Sequence, residues 1–309
     1  MPGCFAHIAL VNVAADADTL DRLLNLTDPM KAAILQNLKY CELGAVSPDY
    51  PFLTLISNDA TAWANTMHYD NTADIIRKGV QGVSKLSGED WNKGVAWLFG
   101  YVAHVVADLT VHPVVQLMVG PYETNKLAHR RCEMNQDVHI FIEKGLGNPG
   151  TVEHIRHAGI ATCTGSDGSS LHPVIKSLWG SVLEGVFPAK YRDNVPDFDA
   201  WHKAFVTVVD KVTKEGQRLF PLARHVAETT ALVLPSEDNL QMEYLENLEC
   251  PDQRRRSYVE VFDIARDNIV STWNDIGAAI TQGSPDRFAL SNANLDTGLI
   301  SKPRSVFWS

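Results

Sequence analysis

The stretch GVAWLFGYVAHVVADL at 94–109 narrows what this chain can fold into more than any other. It is apolar almost throughout, yet His104 and Asp108 sit inside it and His112 follows at the same spacing. Steps of four residues advance about 40° around a helix, so the three side chains project from neighbouring positions on one face. Burying a carboxylate and two imidazoles among valines, leucines and aromatics costs several kcal/mol unless they are paired or hold a metal. The stretch is too short and too polar to span a bilayer, so the expectation is a core helix and no transmembrane segment. Pro113 disfavours helical geometry at the residue before it, which puts His112 at the very end of that helix.

Elsewhere apolar residues recur at three and four, and period-two alternation survives only in short pieces such as HIALVNVA at 7–14. The fold class is therefore all-α, read as a single multi-helix domain over residues 1–309 with a metal cleft. With 309 residues, 45% of them hydrophobic, the chain can bury a full core. The spacing predicts helices over Asp18–Leu26, with Leu20, Leu23 and Leu24 on one face, and over Pro29–Tyr40, stopping just before Gly44 as a C-cap. GAVSPDYPF at 44–52 then reads as a loop. A further helix follows the Asn71–Thr72 capping signal and carries Ile75, Ile76, Val80 and Val83, and the apolar helix itself runs from about Glu89 to His112. Amphipathic helices resume at 173–187, 198–215, 217–233 and 253–281, the last with Val259, Phe262, Ile269, Trp273 and Ile276 on one core-facing stripe. The glycine- and serine-rich segment 145–170 is a linker or a surface loop. The tail 290–309 is extended, either docked or disordered.

Thirty-seven acidic against 27 basic residues give a net charge of −10, a field that disfavours nucleic acid as a partner. The five cysteines are scattered and contain no CxxC, which fits a reducing compartment and neither a disulfide framework nor a thiolate zinc finger. No basic n-region precedes an apolar run at the amino terminus. The expected location is the cytoplasm as numbered, or outside the cell without a recognisable signal peptide in this chain.

Eight of the eleven histidines lie before residue 160. His129 and Glu133 repeat the four-residue spacing; alone, such a pair is an ordinary exposed helix pair. Asp49 comes from a proline-containing loop and His68 lies beside a predicted helix start, both in the exposed backbone context expected of a site. His7 adds a candidate ligand near the amino terminus. Imidazole and carboxylate donors without thiolate suit a zinc ion engaged in hydrolysis better than a closed structural site.

In this order (His7, GAVSPD with Asp49, His68, HxxxD at His104 and Asp108, His112, HxxxE at His129 and Glu133), the residues resemble the zinc-dependent phospholipases C. That family includes the bacterial phosphatidylcholine-specific enzymes and clostridial alpha-toxin, and the amino-terminal domain of glycosylphosphatidylinositol-specific phospholipase D is similar. The resemblance covers about residues 7–140. It implies an all-helical domain holding two to three Zn²⁺ ions: one on Asp49, His68, His104 and Asp108, a second on His112, His129 and Glu133, and a third on His7 and a bridging Asp108. It implies Asp49 as the catalytic general base and Tyr50 beside the substrate headgroup. The implied reaction is phospholipid hydrolysis to diacylglycerol and a phosphorylated headgroup, with transient contact at a membrane surface.

The sequence departs from the family's pattern at two places, and at a third it follows one branch of it. The family completes its third site with an amino-terminal tryptophan, whereas this chain begins MPGC, leaving Cys4 or a processed Pro2 terminus as substitutes. Asn65 stands where the family has an aromatic, and the His104–His112 spacing is the short one of the glycosylphosphatidylinositol-specific relatives. Two other functions stay open: a single-strand nuclease, which would need the tryptophan and a less acidic surface, and a metal-stabilised module without turnover.

Overall fold

Twelve α-helices carry nearly all the regular structure in a computed structural model that describes residues 3–54, 57–146, 159–214, 235–301 and 304–308. They are α1 (Cys4–Ala14), α2 (Ala17–Asp21), α3 (Asp28–Gln36), α4 (Leu38–Val46), α5 (Asn58–Tyr69), α6 (Thr72–Val83), α7 (Gly88–Val119), α8 (Tyr122–Glu143), α9 (Pro173–Val186), α10 (Pro188–Asp193), α11 (Phe198–Lys214) and α12 (Tyr258–Thr281). A 3-10 segment, Ser47–Leu53, continues α4. The only ladders among the described residues are two short antiparallel pairs, β1 (Leu248–Glu249) with β2 (Arg255–Arg256) and β3 (Leu299–Ser301) with β4 (Arg304–Ser305). The fold is all-α.

Helix α7 is the axis. Its 32 residues span about 48 Å at the usual helical rise, and every residue from Gly94 to Val115 is buried. By length and composition it could cross a membrane, which the 16-residue apolar stretch does not reveal, but 78% of its apolar window is buried inside the fold, as in a core helix. It also runs seven residues past His112, with Pro113 inside it. Proline removes one amide donor and strains the turn before it. That cost is accommodated because the turn is buried on every side, not because the helix stops.

Against α7 lies α4, at a crossing only glycine permits. A Cβ on Gly100 would overlap the Cys41 carbonyl, and one on Gly44 would overlap the Trp97 carbonyl. Gly44 is therefore a packing residue within α4 and not the C-cap of the preceding helix. The expected helix 29–40 is two helices, broken at Asn37 (φ −122°, ψ 34°). Likewise the segment 44–52 is helical, α4 and then 3-10, rather than loop. The predicted Asp18–Leu26 helix shrinks to α2, and Leu24 is 93% exposed instead of sharing a buried face with Leu20 and Leu23. HIALVNVA falls within α1, where burial on nearly all sides replaces a one-sided apolar stripe.

The helix after Asn71 forms as expected, with Ile75, Ile76, Val80 and Val83 buried. On α12, Phe262, Ile269, Trp273 and Ile276 are buried, and the Trp273 indole donates to the Phe99 carbonyl of α7 at 2.9 Å. The predicted helix at 217–233 lies outside the described residues, as does the middle of the 145–170 segment. The tail is docked: the Trp308 indole donates to the Thr110 carbonyl at 2.8 Å, and Thr72 Oγ1 exchanges 3.0 Å hydrogen bonds with the Ala293 backbone.

Candidate metal centre

Five elements deliver the eight candidate donors to one stretch of α7. His104, Asp108 and His112 come from α7 itself; His7 comes from α1, Asp49 from the 3-10 segment, His68 from the last turn of α5, and His129 and Glu133 from α8. All are buried, at most 3% exposed except Glu133 at 7%. The exposed setting expected for Asp49 and His68 is thus corrected. Asp49 belongs to a turn packed beneath α7, where Ser47 Oγ accepts from the Trp97 indole at 2.9 Å, and His68 lies on the inner side of α5.

Asp108 is the hub. One oxygen stands 3.4 Å from His7 Nε2 and 3.6 Å from His112 Nε2, and the other 3.3 Å from His104 Nε2 and 3.8 Å from His68 Nε2. None of these contacts supplies Asp108 with an aligned hydrogen bond, although both its oxygens are buried. Asp49 Oδ1 lies 3.3 Å from His68 Nε2. Two sets bring their donor atoms within 4.8 Å of one another: His7, His104 and Asp108, and Asp49, His68 and His104. His104 belongs to both. Among the described residues, His112, His129 and Glu133 gather no such triad, and Cys4 joins neither set.

The imidazoles are held in a particular tautomer. His68 Nδ1–H donates to the Ala64 carbonyl at 2.7 Å and His104 Nδ1–H to the Ala45 carbonyl at 2.8 Å, leaving each Nε2 without a hydrogen-bond partner. His129 is reversed, its Nε2–H donating to the Gly120 carbonyl at 2.7 Å and its Nδ1 unpaired. A ring nitrogen whose neighbour is committed to a carbonyl presents a fixed lone pair, the usual preparation of a metal-binding histidine. The His104 bond exists because the Gly44–Gly100 crossing brings the α4 backbone against α7.

The charges agree. Burial lowers the pKa of His7, which the neighbouring His104 lowers further, and burial holds His112 well below the usual histidine range. Burial alone would raise Asp108, but His104 and His112 beside it outweigh this and hold its carboxyl well below the usual range. Burial lowers His104 too, but Asp108 and Asp49 beside it outweigh this and raise its pKa, so the buried carboxylates need positive charge beside them, which a protonated imidazole or a metal ion supplies. Zinc fits this donor set, since it takes imidazole and carboxylate readily. Cys4 is not prepared as a thiolate ligand, because burial, with Asp137 next, pushes its thiol well above the usual range.

Tyr50 is fully buried, its ring stacked on Phe205 and its hydroxyl 3.1 Å from His202 Nδ1. Two supporting residues escaped the sequence. Asp137 on α8 accepts from the Ala6 backbone N–H at 2.8 Å and so caps α1, the helix that carries His7. It continues the four-residue series of His129 and Glu133, a signal that was available. Asp296, in the tail, stands 3.7 Å from His112 Nδ1 with nothing in its local sequence to announce it.

Comparison with known proteins gives one result. The model of the zinc dependent phospholipase C family matches residues 6–186, more than half of the chain and the whole span of candidate donors. No curated protein and no solved structure matches.

Proposed function

The chain belongs to the zinc dependent phospholipase C family, and from that premise we propose that it hydrolyses a phospholipid phosphodiester to diacylglycerol and a phosphorylated headgroup at a centre of two to three zinc ions. The observation that carries this reading is the buried Asp108 carboxylate, ringed by four imidazoles and lacking a hydrogen bond of its own. Closely spaced zinc ions supply a water that is acidic at neutral pH and positive charge for the phosphoryl oxygens.

In this reading Asp49, His68 and His104 would hold one ion and His7 another, with Asp108 facing both. The committed Nδ1 atoms of His68 and His104 fix which nitrogens meet the metal. His112 on α7, with His129 and Glu133 on α8, would hold the remaining ion. Asp49 is the general base. Burial opposes its ionisation, but His68 and His104 beside it lower its pKa, so it stands ionised at neutral pH, the form a base must have. Tyr50, expected beside the headgroup, is fully buried with its hydroxyl on His202, so in this reading it acts through the Asp49 turn that it adjoins and not by touching substrate.

The test is hydrolysis of a chromogenic phosphocholine ester and of phospholipid vesicles, with single-stranded DNA as comparison and elemental analysis of the purified chain. Zinc at two to three equivalents with ester turnover is the expected result. Cleavage of DNA alone would replace the reading with a nuclease, and zinc without turnover on any substrate would leave a metal-stabilised module.

A further inference from the structure

The family match ends at residue 186, and the segment that closes over the centre lies far beyond it. Residues 290–301 run back along α5, α6 and α7 and are tied down at each step. Asn292 Oδ1 accepts from the Ala73 and Asp74 amides at 2.9 and 3.1 Å, and the Leu295 amide donates to the carbonyl of His68 itself at 3.0 Å. Asn294 Oδ1 accepts from the amides of Asp296 and Thr297 at 2.9 and 3.1 Å, folding the chain into a turn that presents Asp296 inward. Gly298 (φ +67°) then passes Pro113 so closely that a Cβ there would stand 2.9 Å from the Leu109 carbonyl. That carbonyl is the acceptor which Pro113 deprives of its helical donor.

Asp296 is 3% exposed. Its Oδ2 accepts from the Tyr69 hydroxyl at 2.7 Å, and Tyr69 follows His68 on α5. Its Oδ1 lies 3.7 Å from His112 Nδ1, the separation of a charge contact rather than a hydrogen bond. The opposite nitrogen of that ring, Nε2, faces Asp108. A carboxylate that takes the N–H of one imidazole nitrogen while the other nitrogen meets the metal orients a metal-binding histidine and strengthens it as a ligand; Asp296 stands behind His112 at charge-contact distance, on the side from which that role is played.

We propose that Asp296 is a positioning residue of the zinc centre, holding His112 from behind and, through Tyr69, coupling it to the His68 end of the site. The inference rests on the zinc-centre reading above. It adds that the centre is completed by a segment outside the matched region, so that residues 6–186 do not contain the whole of it.

The test titrates zinc into the full chain against a chromogenic chelator and records the visible spectrum of the cobalt-loaded protein. Asp296→Asn should weaken one ion by about 10- to 100-fold, the range typical of lost outer partners, and shift the cobalt spectrum. Tyr69→Phe should weaken the same ion by a smaller factor. Trp308→Phe, which removes a tail anchor without touching His112, should bind zinc as the wild type does. Equal zinc affinity and an unchanged spectrum in Asp296→Asn would overturn the inference alone, as would an equal loss in Trp308→Phe, which would mark the tail as a mere strap. A wild-type chain that binds no zinc would overturn it together with the reading on which it rests.

Discussion

The two sets of candidate donors are built differently. Around His7, Asp49, His68, His104 and Asp108, three separate elements converge on the middle of α7, and the donor atoms close into two triads within 4.8 Å. Around His112, His129 and Glu133, one residue lies at the proline-bearing end of α7 and two lie on α8, beyond the Gly120 turn (φ +82°), and the donor atoms do not close into a triad. Four-residue spacing on one helix aligns side chains. Closing a site takes backbone from elsewhere, such as the Ala45 carbonyl that fixes His104 or the tail that reaches His112. The first set is consequently preorganised, whereas the second leans on its neighbours.

The hardest blow to this contrast is Asp108→Asn, because Asp108 faces both sets. The amide keeps the shape but loses the charge, so zinc affinity should fall by at least about 10²-fold, the scale that loss of even an outer partner reaches, and turnover should disappear. Chelator competition and ester hydrolysis measure both. Wild-type values would show that neither set depends on the shared carboxylate.

Acid separates metal loss from loss of fold. His202, packed under Tyr50, has its pKa lowered to about 4 by burial. The unfolded chain binds a proton near the reference value of about 6.5 while the folded chain does not, so stability present above that pH is lost as pH falls toward 4, by up to about 3 kcal/mol. Denaturant unfolding of the zinc-free chain should show this slope, and His202→Gln should flatten it. A slope unchanged in that variant would assign the acid sensitivity to the donor histidines instead.

Comparing His68→Ala with His129→Ala sharpens the contrast directly. Removing a donor from the preorganised set should cost about tenfold more zinc affinity than removing one from the set that must first be assembled, since ordering side chains consumes part of the binding free energy. Equal losses would mean that the second set is as well formed in the zinc-free chain as the first. The smallest effect is expected for Tyr50→Phe, which removes one hydroxyl from His202, about 1 kcal/mol of stability by denaturant unfolding. A change in KM toward a soluble ester larger than about threefold, roughly 0.7 kcal/mol, would bring Tyr50 into contact with substrate.

Legibility in the sequence followed the same divide. The helical period, the α6 boundaries at Asn71 and the His104–Asp108–His112 register are properties of local spacing, and the sequence carries them openly. The break at Asn37, the passage of α7 through Pro113 and the burial of Asp49 depend on what packs against those residues, so propensity points the wrong way at each. Pro113 is the plainest case: its local preference ends a helix, and its buried surroundings override that. Asp296 was the least legible, since its place is set by hydrogen bonds to residues more than 200 positions away.

The pair Gly44 and Gly100 has a consequence for how such a chain can change over generations. Neither position tolerates a methyl group, since each glycine's missing side chain is filled by the other helix's carbonyl. A single substitution at either would push α4 off α7, withdraw the Ala45 carbonyl from His104 and free that ring to turn, damaging a site that neither glycine touches. A second substitution at the partner could only widen the gap. The two positions are therefore locked together, without a stepwise route by which drift could replace them.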